Sequence, residues 1–296
     1  PAVSDALDVK ARDIGLHIAD GAYVHLLPNI AGFVGSDHVA MLLATEAWKA
    51  KGVVLALDIG TNTEVALVSR GEVSCVSCAS GPAFEGAHIK YGMRAAAGAI
   101  EHFRLVGDQV QYHTIAGAPP VGFCGSGILD GLAQLYLGGV LDKNGGMNDH
   151  KRVRTCEGRR EFVVISEEER DGAPAITITQ QDVRQLQLAK GAIYTGIQAL
   201  LEVGGHSEEE IEQVIIAGAF GSYIDVSSAV AIGMLPSLPL NRFQQVGNAA
   251  GTGARLAMVS RSKRAEAQKI VHKVRYIELA ALPNFQKLFV QAIYLG

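Results

Sequence analysis

Asp58, Gly60, Thr61, Asn62 and Thr63 sit close together directly after the apolar run Val53 to Leu57, and a second apolar run, Val65 to Val68, follows them. The runs read as two buried strands, and the polar residues between them form the tip of a hairpin. Those side chains suit a metal-bound phosphate. Gly60 lets backbone N–H groups approach phosphate oxygens, Thr61 and Thr63 can donate hydrogen bonds, and Asp58 can hold Mg²⁺ directly or through water. The same letters also describe an ordinary hairpin with a polar tip.

Two further glycine-rich turns offer close backbone approach. Gly125, Ser126 and Gly127 precede an apolar helix from Ile128 to Leu137, a pattern that can present N–H groups to an anion. Gly218, Ala219, Phe220 and Gly221 end a buried strand, Val214 to Ala217. Two carboxylates are further candidates. Asp37 opens a helix running to Lys49 with Ser36 as its N-cap; it either faces the phosphate site or complements the helix dipole. Glu85 lies at the start of a long helix expected from Ala83 to about Phe103, as an active-site acid or a solvated one. The segments G-x-x-x-x-G-K-[ST] and G-x-G-x-x-G are absent, and Ser126 lacks the spacing of a nucleophile elbow.

The elements that position these residues alternate strand and helix, as in an α/β fold. Short strands are expected at Val24 to Leu27, Val73 to Ala79, Phe162 to Ile165, Ile176 to Thr179 and Gln244 to Val246. The clearest helix runs from Gln181 or Asp182 to about Glu202, with Val183, Leu186, Ala189, Ile193, Ile197 and Leu200 on its buried face. Ser207 and Glu210 form a capping box. A short helix is expected near Ser227 to Ala231, and a last long one from Gly247 through Arg264. The stretch Tyr276 to Gly296 is apolar enough to fold back on the body, and residues 1–20 give no strong pattern.

Composition narrows the classes. At 296 residues, with 48% apolar and 19% charged residues and 34 glycines, the chain can bury a large core. A net charge of −4 argues against nucleic-acid binding. No signal peptide or membrane-length apolar run is present, so a cytoplasmic protein is expected. Four cysteines do not make a disulfide framework. Cys75 and Cys78 form C-x-x-C, which reads as buried thiols, a redox pair or half a metal site. The cysteines supply no iron–sulfur ligand set.

The order of the segments carries a resemblance. DIGTNTEVAL resembles the second phosphate loop of the actin, sugar-kinase and heat-shock chaperone superfamily, and VIIAGAFG its adenosine loop. LPNIAGFVGSDHVA, LDIGTNTEVAL, GPAFEGAHIKYGMRA, GFCGSGILDGL, ITITQQDVRQLQLAKGAI, IAGAFGSYID and VGNAAGTGA are similar, in order, to the C-terminal region of the reductive activators of corrinoid proteins. The resemblance implies an actin-like (ribonuclease H-like) ATPase lobe, a mixed sheet flanked by helices. Residues 51–296 would form the second lobe, and residues 1–50 the tail of the first lobe with the connecting helix. It implies that ATP and Mg²⁺ serve the reduction of a corrinoid protein from Co(II) to Co(I) in a methyltransferase system. It further implies a homodimer. The 2Fe-2S cluster and the first phosphate loop are expected outside this chain.

Residue by residue, the resemblance would place Asp58, Gly60, Thr61 and Thr63 at the phosphates, Gly218 and Gly221 at the adenosine, and Asp37 beside water or metal. The family's adenosine loop has two adjacent glycines, and Ala219 replaces the second here. Two other functions fit the same pattern. One is a phosphotransferase of the superfamily, with Asp182 or Glu85 as substrate base; the other is a nucleotide-binding scaffold without turnover.

Overall fold

The computed structural model describes residues 3–296. Its strands are β1 (Leu7–Lys10), β2 (Tyr23–Leu26), β3 (Val53–Ile59), β4 (Thr63–Ser69), β5 (Glu72–Cys78), β6 (Ala99–Val106), β7 (Gln109–Thr114), β8 (Gly122–Phe123), β9 (Val153–Cys156), β10 (Arg159–Ile165), β11 (Ile176–Thr179), β12 (Ile211–Ala217), β13 (Phe243–Gly247) and β14 (Val274–Tyr276). The helices are α1 (Ser36–Thr45), α2 (Gly125–Leu137), α3 (Gln180–Gly204), α4 (Val226–Ala231), α5 (Ala249–Val259), α6 (Arg261–Lys273) and α7 (Phe285–Ala292).

The central sheet has the order β13-β12-β3-β4-β5-β14. β4 is antiparallel to its neighbours β3 and β5, while β12 runs parallel to both β3 and β13, and β14 parallel to β5. An antiparallel meander continued on one side by parallel strands is the ribonuclease H-like arrangement, here with β14 added at the far edge. The mixed α/β class expected from the sequence therefore stands.

Side-chain alternation divides the core between the two faces of this sheet. Leu55, Leu57, Val65, Leu67, Val76 and Ile216 face one way, toward α2 and α3. Val54, Ala56, Ala66, Val68, Cys75 and Ala217 face the other, toward α1, α5 and α6. α3 starts at a capping box in which Thr179 Oγ1 accepts from Asp182 N–H and the Asp182 carboxylate accepts from Thr179 N–H; it ends at Gly205 in the left-handed region. α7 packs back against α3, and Leu295 is fully buried.

Three sequence expectations need correction. Residues 83–103 are not a helix: a 3₁₀ turn, Pro82–Glu85, leads into an irregular loop and then β6. Gly86 and Gly98 take φ of +87° and +84°, which an α-helix cannot accommodate. Gly92 lies so close to Gly86 that a Cβ would come within 2.0 Å of the Gly86 carbonyl oxygen. Alanines 95–97 have high helix propensity, but they lie in a turn that leads into β6, which pairs with β7 from Ile100 onward. The last long helix is two, α5 and α6, because Ser260 adopts extended backbone between them and caps the second. α1 is capped by Gly35 rather than Ser36 and stops at Thr45, where Glu46 turns left-handed. Residues 7–10, which carried no pattern, pair with β2.

One core group gives the fold a pH signature. His38, in the first turn of α1, is fully buried, and neither ring nitrogen has a hydrogen-bond partner. Burial holds its pKa down at about 4, the nearby Asp37 charge opposing only in part. The folded state therefore keeps this imidazole neutral while the unfolded chain protonates near pH 6.5. Its contribution is complete above pH 6.5 and is lost as pH falls toward 4, at a cost of about 3 kcal/mol. Denaturant unfolding between pH 7 and 4 should show this loss, and His38→Leu should remove most of it. An unchanged acid limb in that variant would show that other groups set the slope.

Candidate functional site

The loops after β3, β12 and β13 leave the carboxyl ends of three adjacent parallel strands, where open α/β sheets bind ligands. Ala217 is paired with Asp58, so Gly218 follows directly beside the acid. Gly218 has φ +95°, and a Cβ there would lie 2.5 Å from the Ile59 carbonyl and 3.0 Å from Asp58 Oδ1. Only glycine fits that approach. The neighbouring Ala219 is not among the residues of positive φ, so its methyl needs no special backbone. Gly218 N–H donates to the Gly247 carbonyl (3.1 Å), fastening this loop to the end of β13.

Three carboxylates gather on the α1 side of the sheet. Asp58 is opposite Glu64 in the β3–β4 register, and Asp37 opens α1 nearby. Burial first, then the Asp37 charge, raises Asp58 to about 6. Burial and Asp37 likewise push Glu64 to about 7; Asp58 adds to the rise, and a hydrogen bond from Ser77 Oγ (3.1 Å) opposes it. Like charges facing each other across strands repel, and neither acid has a basic partner among the described residues. An all-oxygen donor set of this kind suits a hard cation such as Mg²⁺ that keeps several of its waters. No cluster of three or more side chains closes around a metal by itself among the described residues.

Glu64 was not singled out in the sequence. The signal was available, because a three-residue tip makes Ile59 face Thr63 and so places Glu64 opposite Asp58.

The tip itself is Gly60, Thr61 and Asn62, all exposed. Gly60 N–H donates to the Asn62 carbonyl (3.1 Å), closing the turn. Thr61 Oγ1 donates to Glu85, joining the tip to the turn after β5. Thr63 differs from expectation. Its side chain is fully buried and its hydroxyl shares a hydrogen bond with Ser80 Oγ (3.0 Å), so it supports the loop from beneath and is withdrawn from any ligand.

A cavity of roughly 700 Å³ adjoins this edge. Phe84, Glu85, Arg94, Gly125, Ser126, Ala219, Phe220 and Tyr223 contribute to its wall. The Phe84 and Phe220 rings stack with centroids 4.8 Å apart, tying the first and last of these loops together. Cys124 gives α2 no side-chain cap, and Cys124, Gly125 and Ser126 face the cavity. Its first N–H groups are thus available to an anion or polar ligand.

The glycines of this turn also have a packing role. A Cβ on Gly125 would lie 2.1 Å from the Phe84 carbonyl, and one on Gly127 would lie 2.0 Å from the Ile100 carbonyl. Gly127 is therefore buried against β6 and does not line the cavity, contrary to its reading as a ligand contact. Ser126 Oγ donates to the Glu101 carbonyl (2.9 Å). Gly221 lets the turn close, since a Cβ would lie 2.4 Å from the Ala217 carbonyl.

Two other open readings resolve. Cys75 and Cys78 are buried free thiols whose pKa values burial pushes up, which is the opposite of a reactive redox pair. Asp182 is committed to structure: its carboxylate accepts from Lys90 N–H (2.9 Å) and from Thr179 N–H (2.8 Å), so it is no substrate base. No described helix is long and apolar enough to cross a membrane.

Comparison with known proteins places this geometry in context. Residues 52–296 match the family model described as the C-terminal domain of RACo, the ASKHA domain, and residues 1–50 match the RACo middle region. The corrinoid activation enzyme RamQ of Eubacterium limosum is 37% identical over 302 residues, covering 99% of this chain and 51% of that protein. A reductase of the Co(II) methylated amine-specific corrinoid protein from Methanosarcina barkeri is 26% identical, over 89% of this chain and 50% of its own length. The solved structure of a reductive activator for corrinoid, iron–sulfur protein superposes with a TM-score of 0.91 at 38% identity, over all of this chain and 48% of that one. The chain thus spans about half the length of the curated relatives it matches.

The raised carboxylates predict how the site handles a cation. Their folded pKa values lie above the unfolded ones, so their effect on stability is favourable below about pH 4 and is lost as pH rises through 6 to 7. At pH 8 the Asp58→Asn and Glu64→Gln double variant should gain about 1–2 kcal/mol, allowing for solvent screening. With ~10 mM MgCl₂ the unmodified protein should gain more melting temperature at pH 8 than at pH 5.5, because protons displace the ion at the lower pH. The double variant should lose that difference. An equal Mg²⁺ effect in both proteins would place the ion elsewhere.

Proposed function

The chain belongs to the RACo family, carrying its ASKHA domain and a middle-region segment, and from that premise we propose that it is the ATP-binding, corrinoid-protein-docking part of a reductive activator. The reaction is the ATP-dependent reduction of a corrinoid protein from Co(II) to Co(I), which restores methyl-transfer competence in a methyltransferase system. The observation that supports it is the meeting of Asp58, Gly218 and the roughly 700 Å³ cavity at one sheet edge, in a chain of this family.

In this reading the nucleoside would be held in the cavity whose wall includes Glu85, Arg94, Ala219, Phe220 and Tyr223. Its phosphates would reach the tip, where the exposed N–H groups of Thr61 and Asn62 would donate to them, that of Gly60 being committed to the Asn62 carbonyl. Asp58 and Glu64 would hold Mg²⁺ through its waters, with Asp37 of α1 as a further carboxylate beside them. Bound MgATP supplies a phosphoanhydride whose hydrolysis biases the complex toward the reduced cobalt. Thr61 must exchange its Glu85 contact for a phosphate oxygen, so nucleotide binding pulls on the turn that carries Phe84.

The electron donor is expected as a 2Fe-2S centre outside these 296 residues. The protein works in the cytoplasm as a homodimer, with the corrinoid protein as its partner and without nucleic acid or membrane.

The driving force is linkage: binding energy spent differently on the Co(II) and Co(I) states shifts their equilibrium. The test uses the protein at its natural length, a reducing donor and the Co(II) form of a corrinoid protein from the same organism. Cobalt absorption should show Co(I) only when MgATP is present. Asp58→Ala should slow its appearance on the order of 10²-fold. Tight binding of the corrinoid protein with no nucleotide-dependent reduction would favour the scaffold reading. Phosphate arriving on a small acceptor would favour the kinase reading.

A further inference from the structure

His102 on β6 and His113 on β7 are direct cross-strand partners. The ladder shifts register between Ile100 and His102, leaving Glu101 unpaired as the extra residue of a bulge. Opposed residues of this kind have Cβ atoms about 5 Å apart, so the two imidazoles reach a common point. Both line a second cavity of about 440 Å³, together with Asp130, Gln134 and Asp225. It is walled by the ribbon, α2 and the start of α4, and lies apart from the nucleotide cavity.

Each ring is held by a carboxylate through the same nitrogen. His113 Nδ1 lies 2.8 Å from Glu101 Oε1, and His102 Nδ1 lies 3.4 Å from Asp130 Oδ2. With Nδ1–H donated to an acid, each Nε2 keeps its lone pair free. Metal-binding histidines are oriented this way, with a carboxylate on the far nitrogen fixing the tautomer and raising basicity.

Asp130 supplies an independent observation. It is 5% exposed, and its Oδ1 is buried without a hydrogen-bond partner. Ser228 and the Phe103 backbone also bear on this carboxylate, yet Oδ1 has no well-placed partner, and an unpaired buried carboxylate oxygen is costly unless positive charge lies beside it. A divalent ion shared between the two rings would supply that charge beside Asp130 and Glu101. Around the pair stand Glu101, Asp130 and Asp225 against the single guanidinium of Arg104, so the local field also favours a cation.

We propose that His102 and His113 form a surface site for a transition-metal ion of the zinc, nickel, copper or cobalt type, bound through the two Nε2 atoms with water in the remaining positions. Two protein ligands fit the finding that no set of three or more metal-ligating side chains converges among the described residues. Imidazole ligands select such ions over Mg²⁺, so this site and the carboxylates at Asp58 and Glu64 are chemically distinct. Bound metal would clamp β6 to β7 at the bulge, next to Glu101, which also lines the nucleotide cavity.

The test is calorimetric titration of the natural-length protein with Zn²⁺, repeated with Co²⁺ while its visible absorption is followed, both in excess MgCl₂ to occupy the oxygen site. The expected result is one binding event that the His102→Gln, His113→Gln double variant lacks. Asp130→Asn keeps the volume of the acid and should weaken binding roughly 10- to 100-fold, as loss of an orienting partner does. Glu101→Gln should weaken it in the same direction. The proposal is overturned if the titration detects no Zn²⁺ binding. It is equally overturned if the double histidine variant binds unchanged, since the ion then sits on another of the chain's histidines.

Discussion

The parallel pairing of β12 with β3 is the constraint on which the site rests. It sets Ala217 beside Asp58, and the chain then turns so tightly that a Cβ on the next residue would come within 3.0 Å of the Asp58 carboxylate and 2.5 Å of the Ile59 carbonyl. That closeness demands glycine and a positive φ at position 218. It also fixes where everything downstream can lie. Phe220 lands on Phe84, the 3₁₀ turn carrying Phe84 is pressed onto Gly125, and the start of α2 is thereby aimed at the cavity. Several loops far apart in sequence become one wall because two strands share a register.

The same sheet explains the electrostatics. Alternation along β3 and β4 puts Leu57 and Val65 into the α3-side core and turns Asp58 and Glu64 to the opposite face, where α1 brings Asp37. The protein thus concentrates acids where it offers them no basic partner. The repulsion is tolerable because the groups are only partly buried and can hold protons near neutral pH. A cation relieves it more completely, which links ion binding to the stability of the hairpin. The β6–β7 ribbon shows the contrasting chemistry, with imidazoles outside and carboxylates behind them.

Much of this was legible in the sequence where the signal is local. The apolar run ending at Asp58, the strand ending at Gly218, the capping box at Ser207 and Glu210 and the buried face of α3 are short-range patterns, and the α/β class follows from their order. What was not legible depends on distant contacts. Glu64 matters because of register, Thr63 is lost to Ser80, and Gly127 is glycine because the Ile100 carbonyl lies above it. The alanine-rich stretch 95–99 favours a helix by propensity, yet residues 95–98 turn, with Gly98 at positive φ, and the strand that follows pairs with β8 at Ala99 and with β7 from Ile100. Arg94 and Glu101 enter the cavity wall because the chain turns between them and then runs into β6.

The central claim is that nucleotide sits at the carboxyl ends of β3 and β12. Hydrogen–deuterium exchange of the natural-length protein, with and without MgATP, addresses it most directly. The account predicts slower exchange in residues 60–62, 124–126 and 218–223, with the surface turn 166–172 unchanged. Protection confined to other segments, in a protein that demonstrably holds the nucleotide, would contradict it.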